Sequence, residues 1–193
     1  MSTMTSDTMT SNRMTSDMIK FLTMVGKLKR TKRSGWVMRG VNDPESVSDH
    51  MYRMSIMAML CNNSSTMDKT RCIKLCLIHD MAECIVGDIT PYDNVSKEEK
   101  HAREKKAMQE LSSLLPDEAA TEIMELFEEY ESQSTEEARY VKDLDRFEMI
   151  LQARHYEEGE GMCLQEFYDS VDGKIKNQEI ISLATTLVES RRK

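Results

Sequence analysis

Glycine and proline are scarce, seven and three in 193 residues. The chain has few points at which it must turn, which excludes a many-stranded or loop-rich design and favours long helices. Aromatic residues make up only 6%, with one tryptophan, Trp36, so the core must be filled by aliphatic side chains and by the abundant methionines. Positive charge is in deficit, 26 Lys and Arg against 34 Asp and Glu for a formal net charge of −8. That excludes the broad basic face of a nucleic-acid-polymer binder, while a local basic pocket for a small anion remains open. No apolar run approaches the roughly 18–20 residues of a membrane span, and the charged-then-apolar pattern of a secretory signal is missing. A soluble cytoplasmic protein without a membrane partner is the expectation, with a mitochondrial address as the alternative. The five cysteines, Cys61, Cys72, Cys76, Cys84 and Cys163, contain no C-x-x-C pair and are odd in number, so reduced core thiols are expected rather than a disulfide framework.

What is present is helical periodicity. The length suits one domain with a substantial core. Residues 1–17, a Ser/Thr/Met-rich stretch without hydrophobic period, read as a disordered tail, and residues 18–193 as a single all-α domain. The spacing predicts an amphipathic basic helix over 19–31, a loop over 33–44, a second helix over 46–61 capped by Asp43 or Ser46, and a third over 67–87 stopped by Gly87 in the left-handed αL conformation. Further helices are expected over 96–115, 116–131, 134–158 with a capping box of Ser134 and Glu137, around 163–170, and from about 176 to 192. Met51, Met54, Met57 and Met59 cluster on the second helix, where adaptable core packing explains them.

The third helix carries the run CLIHDMAECIVGDITP, residues 76–91. At about 100° per residue, Leu75, Leu77, Ile78, Met81, Ala82 and Ile85 fall on every side, the pattern of a buried helix. With His79 at 0°, Asp80 lies at about 100° and Glu83 at about 40°, so three polar groups share a buried face. Two carboxylates buried together cost several kcal/mol per ion unless a cation or strong donors compensate. Something positive is expected there. Asp145, flanked on its wheel by Ala138, Val141 and Met149, and His50, followed by Met51, Met54 and Met57, also point inward. His50, His79, Asp80 and Asp145 thus offer two imidazoles and two carboxylates to one point. A metal-free alternative needs cationic partners for these carboxylates, and the adjacent residues supply few.

The order His50, His79-Asp80, Asp145 resembles the H…HD…D signature of the HD-domain metal-dependent phosphohydrolases. The longer strings GWVMRGV, PESVSDHMYRMS, LIHDMAECIVGDITP, KEEKHAREKKAM and KDLDRFEMILQA resemble one branch, the eukaryotic HD-domain 5′-deoxynucleotidases, from about residue 18 to the end. The resemblance implies an HD-domain helical bundle and hydrolysis of deoxynucleoside 5′-monophosphates. It implies a divalent metal, manganese, cobalt, iron, nickel or zinc, on His50, His79, Asp80 and Asp145. Glu83 is implied as general acid/base, and Asp88 as the residue that orients water or holds the sugar. A second, harder ion such as magnesium on Glu83, Asp88 and the Ile89 carbonyl is the further option. For the substrate it implies Arg39 at the phosphate, Trp36 as a stacking surface or core anchor, Asp80 and Asp88 at the nucleotide, and Thr90 and Pro91 around the sugar. Bacterial relatives carry an arginine immediately before this tryptophan; here the residue is Gly35. A homodimer is also implied. Competing readings are an HD phosphohydrolase for cyclic nucleotides or alarmones, and a catalytically idle metal-binding module. His101, His155 and the run KEEKHAREKK read as solvated surface, and KLKRTKR as local positive potential near the phosphate entrance or as solvation of the first helix.

Overall fold

The computed structural model describes residues 6–60 and 67–191, and these form ten α-helices with no strand among them. An isolated antiparallel bridge joins Lys32 to Ser46. The first helix, α1 (Ser6–Val25), runs through most of the stretch expected as a tail. Asp17 receives Lys20 at 2.9 Å and Arg13 at 3.7 Å, spacings of three and four residues that a helix brings together. Residues 1–5 of that stretch lie outside the described residues. A 3₁₀ turn, Gly26–Lys29, buries Leu28 and leads to α2 (Ser34–Met38), a short helix inside the segment expected as a loop.

The next helix, α3 (Val47–Leu60), is capped by Ser46: its Oγ accepts the Asp49 N–H at 3.2 Å while Asp49 Oδ2 accepts the Ser46 N–H at 2.9 Å. Asp43, the other expected cap, sits at φ 44 and pairs instead with Lys32. Cys61 lies outside the described residues.

The expected third helix is broken into α4 (Lys69–Ile78) and α5 (Glu83–Val86), and Gly87 ends it in a conformation more extended than the expected αL. Between them the hydrogen bonds tighten to three-residue spacing, Met81 N to Ile78 O at 2.9 Å and Glu83 N to Asp80 O at 3.1 Å. The wheel angles assigned to Asp80 and Glu83 on a continuous helix therefore do not hold. The sequence gives no warning, because neither glycine nor proline marks the break.

Then come α6 (Lys97–Ser112), capped by Ser96, and α7 (Asp117–Ser132), opened after Pro116. The long α8 (Glu136–Glu160) is capped by Thr135 rather than Ser134, through Oγ1 and the Ala138 N–H at 3.1 Å. Short α9 (Gln165–Val171) and amphipathic α10 (Gln178–Ser190) complete the described chain.

Helices α3, α4 and α8 pack on one another, α7 covers α4 and α8, α6 lies on α7, and α10 on α8. Met54, Leu75, Met108, Leu111, Phe127, Leu144 and Ile150 fill the interior. Met51 is buried and Met57 half-buried as expected, whereas Met59 is exposed. Cys72, Cys76 and Cys84 are buried and in no disulfide; Cys163 is exposed, contrary to the core reading. None of the described helices is long and apolar enough to cross a membrane.

Candidate metal centre and adjoining pocket

Where α3, the end of α4 and the middle of α8 meet, two imidazoles face two carboxylates. His50 is fully buried and His79 nearly so. His50 Nε2 stands 3.4 Å from Asp145 Oδ1 and 3.7 Å from Asp80 Oδ2, and His79 Nε2 stands 3.1 Å from Asp80 Oδ2. Ligand atoms of His50, His79 and Asp145 all lie within 4.8 Å of one another. Each imidazole is held from behind through its other nitrogen, His50 Nδ1 by Glu148 Oε2 at 2.6 Å and His79 Nδ1 by the Cys76 carbonyl at 2.9 Å. Both Nε2 atoms are buried and hydrogen-bond to no described residue. Two imidazole nitrogens without a hydrogen bond, beside two carboxylates, make the donor set of a divalent cation, with outer partners fixing the ring orientation.

The charges agree. Burial opposes ionisation of Asp80, yet His79, Arg33 and His50 outweigh it and hold the carboxyl well below its usual range. For Asp145, burial is overcome by Lys142 and His50, with the same result. Burial and Arg33 push His50 down, but Glu148 and Asp145 prevail and lift it to about 9. Negative field thus converges on His50, as a bound cation requires. Glu83 lies beside this cluster on α5, 2% exposed, with Oε2 making no hydrogen bond to a described residue. Burial, then Asp80 and Asp88, push it well above the usual carboxyl range.

The HD domain family model matches residues 25–182. The chain belongs to the HD-domain family. It is 56% identical to the 5′-deoxynucleotidase HDDC2 of Xenopus laevis over 176 residues, 90% of this chain and 87% of that one. Against the protein of the same name from Homo sapiens the identity is 54%, over 90% and 86% of the two chains. Among solved structures, one described as a predicted metal-dependent phosphohydrolase from Magnetospirillum magnetotacticum superposes with a TM-score of 0.72 at 26% identity, covering 92% of this chain and 95% of that one. HD domains are metal-dependent phosphohydrolases, so this HD-domain protein is an enzyme that takes a divalent metal.

Beside the HD-domain histidines lies a cavity of about 300 Å³ lined by Arg33, Trp36, Arg39, Asp88, Ile89, Thr90, Pro91 and others. Asp88 Oδ2 accepts the Ser34 N–H at 2.7 Å, tying the loop after α5 to the start of α2. The Ile89 carbonyl accepts Lys100 Nζ at 3.1 Å. Thr90 is turned to Asp93, which accepts both its N–H and its hydroxyl. Trp36 is 2% exposed, with Nε1 donating to Glu45 at 2.9 Å and its ring packed on Phe167 and Tyr156. It is a core anchor that forms the pocket floor. Arg39 is clamped by both carboxylate oxygens of Glu166 and donates to the Tyr92 hydroxyl at 3.1 Å.

Several residues of the HD-domain site were not singled out in the sequence. Arg33, the last residue of KLKRTKR, reaches Asp80 at 3.2 Å. Lys142 and the Tyr130 hydroxyl both donate to Asp145 Oδ2, at 2.9 and 3.1 Å. Lys100 and Glu104, from the run read as a solvated face, turn inward, whereas Glu99 with Arg103 and Lys105 with Glu128 behave as expected. Spacing carries the signal in hindsight: Lys100, Glu104, Ala107, Met108 and Leu111 share one face of α6. His155 is exposed, and His101 pairs with Glu131 at 3.0 Å at the surface. A second carboxylate group, Glu45 and Glu148 around His50 Nδ1, is already served by Arg53, which pairs with both.

Proposed function

We propose that the protein is a 5′-deoxynucleotidase that hydrolyses deoxynucleoside 5′-monophosphates to deoxynucleosides and phosphate. The observation that carries this reading is the pair of buried Nε2 atoms of His50 and His79, without a hydrogen bond, beside Asp80 and Asp145, with Arg33 linking Asp80 to a pocket that it and Lys100 line. The activity is the one by which relatives of more than half identity are known.

In this reading His50, His79, Asp80 and Asp145 hold the divalent cation. When bound, such an ion polarises a phosphoryl oxygen and lowers the pKa of water, which is the chemistry phosphomonoester hydrolysis needs. The chain's own residues do the rest. Arg33 and Lys100 stand at the end of the cavity nearest Asp80 and attract the phosphate dianion. Glu83, with a free buried Oε2, takes and returns the proton that water loses and the leaving nucleoside oxygen gains. Asp88, fixed by Ser34, and Thr90 and Pro91 border the sugar. A second cation at Glu83, Asp88 and the Ile89 carbonyl would share that carbonyl with the Lys100 ammonium.

The test is phosphate release from deoxynucleoside and ribonucleoside 5′-monophosphates by chelator-stripped protein refilled with single metals, with Asp80→Ala and Glu83→Ala as controls. Release confined to deoxy substrates, restored by metal and lost in both variants, is the expected result. Absence of release from a metal-loaded protein would direct the search to another phosphoester.

A further inference from the structure

The lining residues of the pocket sort into two groups by what they touch. Arg33, Asp88 and Lys100 belong to the metal-site end, through Asp80, Ser34 and the Ile89 carbonyl. Arg39, Tyr92, Glu166 and Phe167 form a separate group bonded to one another. A volume of about 300 Å³ is at the small end of the range for small-molecule sites, roughly 300–1,000 Å³, and a ligand with its phosphate at the first group must extend into the second.

The second group is unsuited to a phosphate. Arg39 spends Nε and Nη2 on a bidentate clamp with Glu166, so the pair carries no net charge, and a carboxylate at that end repels a dianion. It is suited to a flat, polar-edged ring. The Phe167 ring lies on Trp36 with centroids 4.3 Å apart and lines the cavity. Phe167 also packs against Gly35, with Cε1 3.4 Å from where a Cβ of residue 35 would stand, an ordinary contact that leaves no room for a longer side chain in that direction. The Arg39 guanidinium sits 5.1 Å from the Tyr92 ring centre and 5.9 Å from that of Phe167, while its Nη1 donates to no described residue. The ion pair thus keeps an uncommitted donor on Arg39 and further acceptor capacity on the Glu166 oxygens, next to an aromatic surface.

We propose that α9 carries the nucleobase subsite: the base packs on Phe167, and the Arg39–Glu166 pair reads its polar edge. This rests on the nucleotidase reading and specifies its substrate side. All four common bases place a hydrogen-bond donor next to an acceptor on some edge, so the pair recognises a base as such and discriminates only modestly among bases. As a rim ion pair it adds little to the stability of the fold, and its removal is a clean probe.

The experiment compares kcat/KM for the four deoxynucleoside 5′-monophosphates with that for 2-deoxyribose 5-phosphate, which lacks the base, in wild type, Phe167→Leu and Glu166→Gln. Wild type is expected to favour nucleotides. Each variant should reduce that preference by about tenfold or more, mainly through KM, as expected for loss of one stacked ring or one charged hydrogen bond. A proportional fall on both substrate types, or a wild type with no preference for the base, overturns the proposal. Calorimetry with deoxyadenosine reads the same subsite without any reaction. Saturable binding by wild type, weakened at least tenfold by Phe167→Leu, supports it even if no phosphate is released, and no binding up to millimolar concentration overturns it.

Discussion

A carboxyl group buried without full compensation is a lever on stability, and Glu104 is such a group. It points inward from α6, 7% exposed, with Lys100 3.5 Å away. Burial lifts it to about 7 despite the pull of Lys100. The unfolded chain loses this proton near the ordinary value of about 4.5, so between there and about pH 7 the unfolded state is favoured increasingly over the folded one. Stability is fully present below that window and declines as pH rises through it. Glu104→Gln should remove the decline, making the protein more stable by about 1–3 kcal/mol at pH 8 and no more stable at pH 4.5. Urea unfolding at the two pH values measures both; a gain that does not change with pH would show that desolvation of Glu104 is not its source. The inward turn of Glu104 and Lys100 was hidden by the charges around them. His50, His79, Asp80 and Asp145 were legible for the opposite reason, since a polar residue in an apolar run asks for an explanation. Arg33 was legible only as one charge of the basic run KLKRTKR and Lys142 not at all, because each is an ordinary cation whose role appears only when distant helices meet.

At the scale of the element, the helical pattern was read well where 3.6-residue periodicity runs unbroken. It was misread where hydrogen bonding changes register without a marker residue. The turn His79–Ala82 is the case that matters, because it lets His79 and Asp80 face α3 and α8 while Glu83 starts a new helix. Five-residue α2 was missed because it is shorter than two turns and has no period to detect. Gly87, correctly read as the stop, has φ 76 and ψ 171, a region that only glycine occupies without strain. No atom lies within 4 Å of where its Cβ would stand, so the penalty for Gly87→Ala is purely conformational, about 1–3 kcal/mol. The strain falls at the entrance to Asp88 and Ile89, and the variant should lose nucleotide turnover as well as stability. Gly159→Ala, inside α8 with the same free space, should be neutral or stabilising by up to about 1 kcal/mol. Equal effects at the two positions would remove backbone conformation as the cause.

For the whole molecule, the metal centre is a junction. Its donors come from α3, the end of α4 and α8, the three helices packed together at the middle of the fold, and two of them are carboxylates held ionised in the interior. Without a cation, Arg33, Lys142, Lys100 and the histidines balance those charges among the described residues. A metal bound only by the folded state stabilises it by RT ln(1 + [L]/Kd), about 2.7 kcal/mol at a hundredfold excess over Kd. For a chain of this size that corresponds to a rise in Tm of roughly 5–10 °C. Manganese or cobalt should produce the rise and magnesium much less of it, since imidazole donors favour the former and magnesium prefers an all-oxygen shell. Asp145→Ala should lose most of the response, while a cation bound elsewhere on this acidic surface would leave that variant responding like the wild type. Differential scanning calorimetry of stripped and refilled protein, wild type beside Asp145→Ala, separates the two, because any cation bound by the folded state raises the transition and only one held at the helix junction loses that effect with Asp145.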